Sequence, residues 1–130
     1  MRRVFSNISE PCWGHWHCYK VKNKYDKISG SYIENYLDSN SKFTAQINNN
    51  QVVELSGSKE DYYSQYLKNI IQKTDTKSFL EVGAGELTLA AAVIKNLKNN
   101  YLDYTGALDL SFKRLVVGNE FLKKQNLNID

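Results

Sequence analysis

Little in this chain locks or breaks the backbone. Its 130 residues include one proline and two cysteines, Cys12 and Cys18. No apolar run approaches the length of a membrane span. The N-terminal MRRVFSNISEPCWGHWHCYK, despite its two arginines, develops no apolar core of a signal peptide. The expected address is therefore cytoplasmic, with both cysteines reduced. Charge of one sign is also scarce. Lysines and arginines number 17 against 14 acidic residues, leaving +3, and these charges are scattered without the basic, aromatic-interleaved stripe that nucleic acid requires. Neither nucleic acid nor a membrane is expected as a partner. What remains, 42% hydrophobic and 24% charged residues, is the composition of an ordinary globular chain. The length suffices for a core but is short for a complete doubly wound enzyme.

Three textures follow one another. Up to about Tyr36 the chain is aromatic and polar without a clean period; it reads as an arm with one or two short helices, one of them around Gly30 to Leu37. KFTAQINNNQVVEL, from Lys42 to Leu55, has two strand-like runs joined by Asn48, Asn49 and Asn50, which tolerate left-handed turns, so a hairpin is expected. From Ser56 the pattern alternates helix, strand, helix, strand, helix. Ser58 and Asp61 cap a helix reaching Thr74, with Tyr62, Tyr63, Tyr66, Leu67, Ile70 and Ile71 on one face. Phe79 to Val82 is a strand, Glu86 to Leu97 a helix burying Leu89, Ala90, Val93, Ile94 and Leu97, and Tyr104 to Leu108 a second strand. Ser111 caps a last helix through about Lys124, with Leu115, Val116, Asn119 and Leu122 on its stripe, and Leu127, Asn128 and Ile129 read as the approach to a third strand. The order predicts an α/β fold with parallel strands: an arm and hairpin over 1–55, then the first, incomplete part of a Rossmann-like domain over 56–130.

SFLEVGAGELTL, from Ser78 to Leu89, is the most informative stretch. An apolar strand runs into two glycines one residue apart and then a helix start, the place where α/β sheets hold cofactors. The dinucleotide fingerprint wants a third glycine or alanine where this chain has Thr88. Glu81 discriminates further. An acid two residues before the first glycine repels a pyrophosphate and attracts a ligand bearing an ammonium group. Asp109, at the end of the next strand, would lie beside it.

EVGAGELT resembles motif I of class I S-adenosylmethionine-dependent methyltransferases, and GALDLSFKRL, from Gly106 to Leu115, resembles the family's second-strand motif. The pair looks most like bacterial methyltransferases of small-molecule or sugar-modifying pathways. The resemblance implies S-adenosylmethionine as cofactor and a partial Rossmann-like parallel sheet. Glu81 would hold the methionine ammonium. Gly83, Ala84 and Gly85 would bring backbone against the methionine and ribose, while Glu86 and Leu87 begin the helix. Asp109 would accept from both ribose hydroxyls and Leu110 would pack on adenine. Many members carry a further glycine where this chain has Leu87.

CWGHWHC, spanning 12–18, supports three readings: a zinc knuckle, which such close spacing disfavours; aromatic packing of Trp13 and Trp16; or a histidine acting as base toward a methyl acceptor. No metal is assigned and no catalytic residue is named. The tyrosines of the 58–74 helix are read as packing residues, one of them bordering the pocket as the alternative. The expected function is methyl transfer to a small-molecule acceptor, this chain supplying the N-terminal half of the cofactor site. The alternative is a non-catalytic binding or assembly module whose incomplete sheet is completed by a further chain or copy.

Overall fold

The computed structural model describes residues 13–47, 51–97 and 101–129. The asparagine turn of the hairpin and the side chains of the 12–18 cluster lie outside those residues. The described elements are five helices and two small sheets: α1 (Trp13–Lys27), α2 (Ser31–Leu37), β1 (Lys42–Ile47), β2 (Gln51–Ser56), α3 (Lys59–Lys73), β3 (Ser78–Val82), α4 (Thr88–Asn96), β4 (Tyr104–Leu108) and α5 (Phe112–Lys124). β1 and β2 form the antiparallel hairpin, with Lys42 opposite Ser56 and Ile47 opposite Gln51. β3 and β4 pair in parallel across α4, from Ser78 opposite Tyr104 to Val82 opposite Leu108. The fold is thus mixed α/β with one parallel pair.

Local chemistry sets the element ends. Ser58 and Ser111 each accept from the amide three residues on, Asp61 and Arg114, as N-cap serines do. At the far ends of α3 and α5, Asp75 and Asn126 take left-handed φ of 48° and 56°. The next amides, Thr76 and Leu127, reach back to the Ile71 and Leu122 carbonyls at 3.0 and 2.9 Å, closing Schellman motifs. Beyond this closure 127–129 are irregular, and Leu127 and Ile129 pack against the core.

α4 is the centre of the molecule. Ala90, Ala91, Ala92 and Val93 are wholly buried. Leu87, Ala90 and Ala91 meet Phe121 and Leu122 of α5, while Val93 and Leu97 meet Ile71 of α3. Phe79 of β3 touches both clusters, so the helices cover that face of the parallel pair. The opposite face is bare: Leu80, Val82, Tyr104 and Leu108 are exposed, an uncommon state for parallel strands, which are usually covered on both sides.

Three sequence expectations are corrected. The arm contains a 15-residue helix, α1. Between Lys20 and Lys27 it buries no side chain fully, so it has no apolar period to read. α3 buries Glu60, Ser64 and Ile71 rather than the tyrosine stripe, because the α4 surface lies on that side; Tyr63, Tyr66 and Ile70 face outward. α5 likewise buries Arg114, Gly118, Phe121 and Leu122, while Val116 is exposed. No helix among the described residues is long and apolar enough to cross a membrane.

Candidate functional site

The ends of β3 and β4 open into a cavity of about 790 Å³. Its floor is the glycine turn from Val82 to Glu86 with Asp109 and Leu110. Its other walls come from α1 (Val21, Tyr25), α2 (Tyr32), the start of α3 (Lys59, Glu60, Tyr63) and Arg114 of α5. Glu81 and Asp109 therefore line one cavity from neighbouring parallel strands.

Glu81 is the group with unsatisfied chemistry. Its Oε2 is buried without a hydrogen-bond partner, which normally costs about 1–3 kcal/mol. Burial pushes its carboxyl up to about 7; the amide of Ala90 opposes this, and the nearby carboxylates of Glu60 and Asp109 add to it. Glu60 is itself buried and accepts from the Thr88 hydroxyl at 3.3 Å. A cationic ligand group answers this arrangement, supplying the partner and the counter-charge together.

Three amides of the turn have partners within the chain. The amides of Gly83 and Ala84 both donate to the Leu108 carbonyl, at 2.8 and 2.9 Å, and the Gly85 amide donates to Asp109 Oδ2 at 2.8 Å. These three amides are therefore spent inside the chain and cannot cradle a pyrophosphate. At Gly83, with φ of 75°, the space a Cβ would enter is open, so a neutral or cationic ligand can approach the backbone there.

Asp109 has a structural duty beside any ligand role. Oδ1 accepts from the Ser111 amide at 2.7 Å and Oδ2 from Gly85, tying the end of β4 to the glycine turn. Each oxygen keeps a second lone pair for a hydroxyl. Leu110 is 62% exposed at the cavity rim, a free apolar surface for a flat ring.

Glu86 lies in the cavity lining and Leu87 does not, and neither begins the helix. Helix α4 starts at Thr88. Leu87 is its N-cap in left-handed geometry, with φ of 62°, and its side chain is 1% exposed in the core. That backbone conformation explains why a glycine would suit the position. Leu87 is thus a packing residue. Glu86 is also 1% exposed, and its carboxylate turns away to accept from the amides of Gly30 at 2.9 Å and Ile33 at 3.0 Å. Arg114 Nε completes it at 3.4 Å, with the guanidinium lying 4.5 Å from the Tyr32 ring centre and 5.1 Å from that of Tyr25. Glu86 fastens α2 to the turn.

Sequence reasoning gave no role to Arg114, Glu60, Lys59, Tyr25 and Tyr32. Glu60 and Lys59 read as ordinary first-turn helix residues, and the other three gain meaning only from contacts across the fold. Among the tyrosines of α3, Tyr63 borders the cavity, whereas Tyr62 packs on Phe43 with ring centres 5.3 Å apart. Compared with protein-family models, curated proteins and solved structures, the chain matches none.

Proposed function

We propose that the cavity binds S-adenosylmethionine and that the protein acts in methyl transfer to a small-molecule acceptor, with this chain's parallel pair forming half of a Rossmann-like cofactor site. The observation that carries this is Glu81: a half-buried carboxylate with one buried, unpartnered oxygen, lining one cavity with Asp109 at the ends of adjacent parallel strands. The residues fit the group. Glu81 takes the ammonium, Gly83 admits close approach, Asp109 has free lone pairs for the ribose hydroxyls, and Leu110 offers an apolar surface to adenine. When bound, the cofactor supplies an activated methyl on a sulfonium. The chain's own part is to bind, orient and enclose it, which is most of what such a transfer asks of a protein. The spent turn amides disfavour a dinucleotide.

Isothermal titration of the chain with S-adenosylmethionine tests this. Binding that is lost in Glu81→Gln, a change that keeps shape and removes charge, is the expected result. Absence of binding by the unaltered chain, or equal binding by both, would overturn it. Asp109→Ala is a weaker test because Asp109 also holds the turn.

The bare face of the parallel pair favours a second reading. Leu80, Val82 and Leu108, each more than half exposed, suit a module that another chain or copy completes. Self-association without cofactor binding would support it over the first.

A further inference from the structure

Lys59 and Glu60 open α3 side by side and line the cavity together, but neighbouring residues of a helix diverge by about 100°. Glu60 accepts from Thr88 of α4 and lies near enough to Glu81 to help raise its carboxyl. Lys59 goes the other way: its Nζ lies 5.6 Å from the centre of the Tyr32 ring. Among the described residues no carboxylate pairs with it. Arg114 reaches the same ring from α5, with its guanidinium carbon 4.5 Å from the ring centre. Gly85 makes this approach possible, because a Cβ there would stand 2.8 Å from Arg114 Cζ and 3.1 Å from Nη1. The second glycine of the turn thus admits a cation to the cavity.

Arg114 is 6% exposed, and its nitrogens are unequally used. Nε reaches Glu86 at 3.4 Å. Nη1 and Nη2 have no hydrogen-bond partner among the described residues, yet unlike Glu81 Oε2 they are not sealed off. That terminal edge is one a planar carboxylate can take in two parallel bonds. Glu86 offsets part of the charge through Nε, and Lys59 adds a second charge with no carboxylate beside it. We propose that Arg114 and Lys59, with the Tyr32 ring they share, form an anion subsite of the cavity that selects a methyl acceptor bearing a carboxylate. The cofactor's own carboxylate shares a carbon with the ammonium assigned to Glu81, the side from which Lys59 diverges, so the anion at Tyr32 belongs to a second molecule. The subsite stands on the two cations; only its assignment to the acceptor rests on the cofactor reading.

Side-chain NMR of the chain loaded with S-adenosylhomocysteine, titrated with acetate and with the neutral acetamide, tests this. Acetate is expected to shift the Arg114 Nε–Hε signal saturably, and acetamide to leave it in place. Lys59→Gln, at an exposed position that the fold does not depend on, weakens acetate binding about tenfold. An Arg114 signal that acetate does not move, or that acetamide moves equally, overturns the proposal. So does a Lys59→Gln chain that binds acetate as before. Calorimetry with S-adenosylmethionine and its decarboxylated analogue separates the two sources of a carboxylate. Lys59→Gln should leave both affinities unchanged; a tenfold loss for S-adenosylmethionine alone would show that the cofactor fills the subsite and would overturn the acceptor assignment. A failure of the cofactor reading looks different: the unaltered chain takes up no S-adenosylhomocysteine. The acetate titration of the free chain then decides, an Arg114 shift upholding the subsite and its absence overturning it.

Discussion

Glu81, half-buried, and Glu86, fully buried, are two carboxylates five positions apart with opposite fates. Glu86 is fully partnered by two amides and a guanidinium, and it builds structure. Glu81 lacks a hydrogen-bond partner at Oε2, the place the proposed ligand would fill. Because its pKa is raised to about 7 from 4.5, the folded chain binds a proton more tightly than the unfolded one. Stability therefore falls as pH rises through that window. Glu81→Gln removes this penalty: at pH 8 it should gain on the order of 1–2 kcal/mol, discounted for solvent at the cavity mouth, and at pH 4 almost nothing. Urea midpoints at the two pH values check this; an equal effect at both would contradict it. Glu86→Ala strands a buried guanidinium and two amides and should lose about 3–5 kcal/mol, with exchange rising first in α2.

At the scale of elements, the glycine turn, α4 and α5 behave as one packed unit. Gly118 makes this possible: a Cβ there would stand 2.6 Å from the carbonyl carbon and oxygen of Glu86 and 2.8 Å from Leu87 Cγ. The backbone of the turn cannot give way cheaply. Gly118→Ala should cost about 1–3 kcal/mol in a urea melt and weaken cofactor binding by displacing Gly85, whereas a harmless substitution would show that α5 slides freely. The extents of β3, β4 and α5 were legible in the sequence because strand runs, glycines and serine caps are local signals. The faces were not. Tyr62, Tyr63 and Tyr66 share a stripe with the apolar residues, yet α4 lies against Glu60, Ser64 and Ile71, and only the packed neighbour decides between such faces. Glu81 and Asp109 were legible as strand-end acids. The role of Glu86 was not, because its partner Gly30 stands 56 positions away. Helix α1 escaped because over Lys20–Lys27, where its side chains are described, none is fully buried and no apolar period marks it.

For the whole molecule, one side of the parallel pair is packed and the other is open. Leu80, Val82, Tyr104 and Leu108 make an apolar face that favours association. Leu80→Lys, at a position on this face outside the cavity lining, should therefore lower concentration-dependent association in sedimentation velocity while leaving cofactor binding intact; unchanged sedimentation would mean that the face does not mediate contact. The cavity lies at the ends of the same strands, bordered by α1, α2 and α3, and shares Val82 and Leu108 with the open face, whereas Leu80 and Tyr104 belong to that face alone. The most direct measurement is calorimetric titration of S-adenosylmethionine into the unaltered chain and into Glu81→Gln at pH 8, where the carboxylate is charged. Saturable binding by the first and none by the second is the expected result. No binding by the unaltered chain, or the same affinity in both, would contradict a site built around Glu81.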